Sequence, residues 1–210
     1  MKLDLVSCQF SFHYSFESLP QVECMLQNAA ECLRTGGYFI GTIPDSADII
    51  KRIRQRGSNI YQNSLFRIEL CCDEPYPLFG AKYNFYLEGV VDCPEFLVHF
   101  PTLKKLAAKV GLKFIHRERF CDYYQRMKRE GEFLLKRMQA LETYPAPQGE
   151  TLAGPKEEYV HAETVLLEKN LRSVGTLSKS EWEAISLYQI FVFEKMETHW
   201  GADGKPVFKE

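Results

Sequence analysis

The chain predicts an α/β protein built around a largely parallel sheet, and three observations carry that prediction. Two apolar runs, LDLVSCQF and YFIGTIPD, are each followed by a segment with helical spacing, the strand–helix–strand–helix order of a parallel sheet. A third apolar run, AISLYQIFVFEK, lies near the C-terminus, after a long stretch of different character. The 210 residues are 45% hydrophobic and 26% charged, so one core can form without disulfide or metal staples.

Taken in order, Lys2 to Phe10 is apolar enough for a strand covered on both faces. In the helix that follows, Ser18 and Gln21 are spaced as a capping box, and Pro20 falls in the first turn. Leu19, Val22, Leu26, Ala29, Ala30 and Leu33 recur at helical spacing, and Gly36-Gly37 is the expected stop. YFIGTIPD is the second strand. Asp45 or Ser46 then caps a helix, ADIIKRIRQR, that Gly57 closes.

The middle reads as an antiparallel insert. SLFRIEL is a strand, Pro75, Pro77 and Gly80 mark turns, and AKYNFYLEGVVD alternates like one half-buried strand. PEFLVHFPTLKKLAAKVG predicts a helix stopped by Gly111, and LKFIHRERF is a third core strand, a candidate antiparallel partner of the last one. DYYQRMKREGEFLLKRMQAL predicts a basic helix, 145–155 a loop, and EEYVHAETVLLEK a short helix. After the final strand, residues 196–210 read as a polar, frayed tail.

Several function classes lose support at this level. A net charge of -2 gives no global nucleic-acid signature, so RNA contact rests on local clusters: KRIRQR, HRER and the arginines and lysines of 126–137. Each of these serves equally as a solvated helix face. None of the seven cysteines forms a C-x-x-C pair or has a histidine at zinc spacing, which predicts small buried hydrophobes in a reducing compartment and no metal. No run is long enough to span a membrane, and the N-terminus lacks a signal-peptide pattern. There is no nucleophile elbow, Walker loop, zincin motif or G-x-G-x-x-G loop after a strand.

The candidate site lies where strands end. In open α/β sheets ligands sit at the carboxyl ends of strands, and Gln9 to Tyr14 lies at such an end, as does Ile43 to Asp45. Phe10, His13 and Tyr14 suit a pocket for a planar base, each stacked base contributing about 1–3 kcal/mol. Equally, Phe10 and Phe12 suit a core, with His13 at the surface. Glu95, at the start of the predicted helix, can accept hydrogen bonds from the adjacent N1–H and N2–H₂ of a guanine, or can serve the helix dipole as a first-turn acid. Tyr188 is a core tyrosine or a pocket wall.

The strings CQFSFHYSFES, GGYFIGTIPDS, YPLFGAKYNFYLEGVVDCPEFLV, LLKRMQALE and GTLSKSEWEAISLYQIFVFEK closely resemble the eukaryotic mRNA cap guanine-N7 methyltransferases, from the first residues to about Lys195. The resemblance implies a Rossmann-like fold that uses S-adenosylmethionine to methylate N7 of the cap guanosine on RNA 5' ends, in the nucleus. It implies a cap pocket of Phe10, His13, Tyr14, Glu95 and Tyr188, with Gln9 and Tyr14 touching the methyl donor. No residue is expected to transfer a proton, because guanine N7 already carries a lone pair.

The family's glycine-rich loop and the acidic residue after its second strand have no counterpart here. The expectation is therefore an N-terminally incomplete domain: residues 1–195 a C-terminal part of the catalytic domain, a surface lobe at about 144–177, and the tail 196–210. Vertebrate members bind a small activating subunit near the segment matching that lobe, which makes such a subunit a candidate partner. The rival expectation is a non-catalytic module that binds the cap or a partner.

Overall fold

The computed structural model describes residues 2–203 and 206–209. They form two compact units, one comprising residues up to Gln62, Phe66–Phe120 and Leu187 onward, the other Asn63–Leu65 with Cys121–Ser186. In chain order the first unit holds β1 (Leu3–Gln9), α1 (Leu19–Cys32), β2 (Leu33–Pro44), α2 (Ser46–Arg56), β3 (Ile60–Gln62), β4 (Phe66–Leu70), β5 (Lys82–Leu87), β6 (Val91–Phe96), α3 (Phe100–Lys109) and β7 (Leu112–Arg119). The second unit is built from α4 (Phe120–Met127, after its first residue), α5 (Glu132–Met138), β8 (Glu142–Tyr144), α6 (Val160–Lys169), β9 (Val174–Thr176) and α7 (Lys179–Ile185). The chain then returns to the first unit with β10 (Tyr188–Lys195), β11 (Glu197–Trp200) and β12 (Pro206–Lys209).

The main sheet has the order β1-β2-β10-β7. The pair β1–β2 is parallel, with α1 as the crossover, and β10 runs antiparallel to both β2 and β7. The α/β class and the antiparallel last pair are as expected, but the sheet is not largely parallel, since β1–β2 is the one parallel pair among the described residues. Strand β1 is not covered on both faces. It lies at the sheet edge, and Leu5 is half exposed.

The core of this unit is aromatic. Phe12, Phe39 and Phe191 are fully buried and meet edge to face at 5.2–5.8 Å, a geometry worth about 0.5–1.5 kcal/mol per pair beyond burial itself. Gly41 is required here: a Cβ would lie 2.4 Å from the Phe191 ring and 2.6 Å from the Cys8 carbonyl oxygen.

Other local expectations shift. The Ser18 hydroxyl bonds the Gln21 side chain at 2.6 Å and not the helix backbone, so no capping box forms. Helix α1 ends at Cys32, and Gly36-Gly37 fall inside β2 at a register irregularity. Asp45 caps α2 through the Asp48 N–H, and Gly57 closes it in the left-handed region.

The insert is a second antiparallel sheet, β3-β4-β5-β6. AKYNFYLEGVVD is not one strand but most of a hairpin, turned at Gly89 (φ 69°). Glu95 is therefore not in a helix. Pro94–Phe96 belong to β6, and α3 starts only after His99, with Pro101 in its first turn. The reason is that β6 is an edge strand, where a proline costs no ladder hydrogen bond.

In the second unit the expected basic helix is interrupted at residues 128–131 into α4 and α5, neither of which buries a residue. The pair β8–β9 and a stacked Tyr144–Tyr159 pair form its small core. A full capping box, Ser178 with Glu181, starts α7. Residues expected to be a frayed tail pair as β11–β12, and the Phe208 ring lies 5.0 Å from the Lys195 ammonium.

Candidate functional site

At the carboxyl end of β1 the chain makes a costly turn. Phe10 has φ 56°, in the left-handed region that a bulky side chain rarely adopts, and its N–H bonds the Thr42 carbonyl at 3.1 Å. Such a residue costs about 1–3 kcal/mol and persists only where its surroundings enforce it. The turn leaves the Phe10 ring half exposed, 5.0 Å from Tyr188 and 6.1 Å from Phe120, both edge to face. A 3-10 turn follows (Phe12–Glu17), pinned by the Ser15 hydroxyl on the Phe12 carbonyl at 2.7 Å. It drives Phe12, His13 and Phe16 inward and leaves Tyr14 at the surface.

The hairpin of β5 and β6 supplies the other wall. Its register sets Tyr83 directly opposite Glu95 and Phe85 opposite Cys93, so all four share one face. The Tyr83 hydroxyl donates to Glu95 Oε2 at 2.5 Å. Tyr14 donates to Glu95 Oε1 at 3.3 Å, and its oxygen lies 3.4 Å from Cys93 Sγ. His13 Nε2 is 3.2 Å from the same Oε1, and its ring lies 4.4 Å from that of Tyr14. That approach is off line for a hydrogen bond, and neither His13 nitrogen has a hydrogen-bond partner among the described residues, although the side chain is 1% exposed.

The electrostatics follow from this crowding. Burial, and then the Glu95 charge and hydrogen bond, push the Tyr83 phenol well above its ordinary value. Burial, the Cys93 thiol and the Glu95 charge do the same to Tyr14. Tyr188 is raised by burial first and by the Glu95 charge second. All three phenols are held neutral near one carboxylate, to which Tyr83 and Tyr14 donate.

The structure thus brings His13, Tyr14 and Glu95 into contact and sets Phe10 against Tyr188. His13 is not at the surface, and Phe10 is not core. Gln9 is placed apart from these contacts. Its amide nitrogen donates to the Ser7 hydroxyl at 2.9 Å, and its carbonyl accepts from the Thr42 hydroxyl. Tyr83, Cys93 and Phe120 were not legible as site residues. The signal for Tyr83 lay in the turn at Glu88-Gly89, since folding the chain there pairs position 83 with 95.

A buried carboxylate, two phenols that donate to it and a buried histidine without a hydrogen-bond partner among the described residues thus gather beyond the carboxyl end of β1. Comparison with known proteins is more specific. The model of the mRNA (guanine-N(7))-methyltransferase domain matches residues 1–196, and the chain belongs to that family. It is 50% identical over 212 residues to the mRNA cap guanine-N(7) methyltransferase of Drosophila melanogaster, covering 100% of this chain and 49% of that protein. It is 38% identical over 205 residues to the Caenorhabditis elegans enzyme of the same name, covering 93% and 53%. The rice mRNA cap guanine-N(7) methyltransferase 1 is 34% identical over 200 residues, covering 91% and 47%. The chain spans about half the length of the curated relatives it matches. Among solved structures, the CcbJ methyltransferase of Streptomyces caelestis overlays with a TM-score of 0.42 at 13% identity, covering 93% of this chain and 58% of that one. No helix among the described residues is long and apolar enough to cross a membrane.

Proposed function

We propose that this chain forms the guanine-binding part of an mRNA cap guanine-N7 methyltransferase, which moves a methyl group from S-adenosylmethionine to N7 of the cap guanosine. The observation that carries the reading is the Glu95 carboxylate, 3% exposed and faced, among the described residues, only by side-chain donors, beside a buried histidine with no hydrogen-bond partner among them. A buried polar group of that kind implies a partner from outside. In this reading Glu95 accepts from the guanine edge, and His13 holds a polar atom of the base or the cap. Tyr14 and Tyr188 confine the ring, with Phe10 as the neighbouring wall.

The chemistry asks little else of the protein. Guanine N7 attacks with its own lone pair, so no residue has to accept a proton. What remains is in-line placement and an environment suited to charge moving from the sulfonium to the base. Gln9 and Tyr14 are the residues of this chain assigned to the methyl donor, which when bound supplies an activated methyl group. Each offers it one polar group, the Gln9 amide now bonded to Ser7 and Thr42 and the Tyr14 phenol to Glu95, and no further step is assigned to it. Residues 144–177 are the assigned surface for a small activating subunit, the capped RNA 5' end is the substrate, and the setting is the nucleus.

The test pairs binding with turnover. Calorimetric titration with the cap dinucleotide GpppG is expected to show binding by the 210-residue chain that Glu95→Ala weakens at least a hundredfold. Equal binding by the parent chain and Glu95→Ala would overturn the assignment. Methyl transfer to capped RNA, measured in parallel, separates a catalytic chain from a binding module.

A further inference from the structure

The two oxygens of Glu95 live in different surroundings. Oε2 meets the phenol of Tyr83, which is 1% exposed, lies directly across the β5–β6 ladder, and is locked in a sheet by pairing on both sides, with Leu70 on β4 and Glu95 on β6. Oε1 meets two looser groups. The His13 ring is off line, and the Tyr14 hydroxyl sits at 3.3 Å on a side chain that is 37% exposed and shares its oxygen with Cys93. A hydrogen bond at 2.5 Å to a carboxylate is at the strong end of the range, and one at 3.3 Å is weak.

We infer that Tyr83 is a positioning residue: its buried phenol fixes Oε2, so that Glu95 presents Oε1 to an incoming donor, which takes the place of the Tyr14 hydroxyl. The carboxylate then acts through one oxygen, in contrast to the two-oxygen grip that the guanine edge alone suggests. Burying a carboxylate without a partner is costly, and Tyr83 supplies one partner that is never exchanged. The exchange at Oε1 replaces one hydroxyl donor by another N–H or O–H donor, which keeps the carboxylate satisfied in both states. Selectivity follows, because a ligand lacking a donor at that point leaves Tyr14 in place or Oε1 bare. The inference rests on the cap reading only for the identity of the ligand.

Two measurements on the full chain test it. In the first, GpppG is titrated into the parent chain, Tyr83→Phe, Glu95→Ala and the double variant. Tyr83→Phe is expected to weaken binding on the order of tenfold, the loss of one hydrogen bond to a charged group, and to add nothing in the Glu95→Ala background. Equal weakening in both backgrounds would assign Tyr83 a merely structural role. In the second, with no ligand present, the carbon-13 carboxyl resonance of Glu95 is followed in Tyr83→Phe and Tyr14→Phe. The larger displacement is expected in Tyr83→Phe, and a larger one in Tyr14→Phe would overturn the lock. Failure of the parent chain to bind GpppG would defeat the cap reading, while the carboxyl resonance would still decide whether Tyr83 holds Glu95.

Discussion

Each unit of the molecule holds a glutamate against a tyrosine, and the two pairs are built to different ends. In the second unit Glu142 Oε2 accepts from the Tyr159 hydroxyl at 2.9 Å and from the Ala153 N–H at 3.0 Å, and the Tyr159 oxygen accepts the Gly154 N–H at 3.1 Å. Backbone donors from the 153–154 loop dominate, so the pair latches that loop. In the first unit every donor to Glu95 among the described residues is a side chain. A backbone N–H leaves only if its loop moves, whereas a hydroxyl leaves by rotating one bond. The lesson is that backbone donors tie a carboxylate to its fold, whereas among side-chain donors burial and distance decide which one, here Tyr14 and not Tyr83, is free to exchange with a ligand.

The largest expected effect tests that contrast directly. Glu95→Ala should reduce GpppG binding at least a hundredfold and cost about 1–3 kcal/mol of stability, because the buried Tyr83 hydroxyl is left without its acceptor. Glu142→Ala should leave GpppG binding within about twofold of the parent chain. Its cost should appear as faster amide exchange across residues 153–159. Calorimetry and hydrogen exchange on both variants decide the matter, and comparable loss of binding in the two would collapse the distinction.

Next in size is the aromatic wall. Tyr188 meets Phe10 at 5.0 Å and Phe120 at 6.0 Å. Tyr188→Ala is expected to weaken GpppG binding by roughly ten- to a hundredfold, the worth of one stacked base. Tyr188→Phe, which keeps the ring, should recover most of that. A Tyr188→Ala chain that binds as tightly as the parent would remove β10 from the site.

What sequence reasoning could and could not reach divides along the same line of local against non-local. The β1–α1–β2–α2 path was legible because its signals are local: apolar runs, Pro20 in a first turn, Asp45 and Gly57 as caps. Glu95 went to the wrong element because two prolines seven residues apart, Pro94 and Pro101, both suit a helix start, and only the sheet order shows that Pro94 lies on an edge strand. His13, Tyr14, Glu95, Phe10 and Tyr188 stood out by strand-end position and residue type with a core reading equally open, and the strings that resemble the cap methyltransferases then assigned them to a pocket. Their contacts were not readable, since residues 14 and 95 meet only through two separate sheets. Tyr83 was hidden inside an alternating run whose register depends on one three-residue turn.

A smaller effect concerns the second unit alone. Burial, reinforced by the neighbouring Glu142 carboxyl against the opposing Ser178 N–H, raises the Glu181 carboxyl above its ordinary value. A raised carboxyl favours the protonated folded state, so its contribution is fully present below the unfolded value and is lost as pH rises through the folded one. At pH 7 the ionised group therefore opposes folding. Glu181→Gln keeps an acceptor for the Ser178 N–H, which Glu181 Oε2 bonds at 2.7 Å, and removes the charge. Melting at pH 7 is expected to rise by about 1–3 °C, small because the group is largely solvent-screened, and the difference should vanish near pH 4. A loss of stability at pH 7 would show that the capping bond needs the full charge.

The smallest effect sharpens the first-unit site. Cys93 shares its face with Glu95 and touches the Tyr14 oxygen at 3.4 Å. A thiol is a weak donor and a weak acceptor, and Tyr14 keeps its bond to Glu95 without it. Burial is the first cause of the raised Tyr14 phenol, so that group also stays neutral when the thiol is gone. Cys93→Ala should therefore change GpppG binding by no more than about threefold, the scale of a weak neutral contact. If the loss instead exceeded tenfold, the thiol would be a ligand group in its own right, and the exchange at Glu95 Oε1 would have to be redrawn with Cys93 as the group that holds Tyr14 aside.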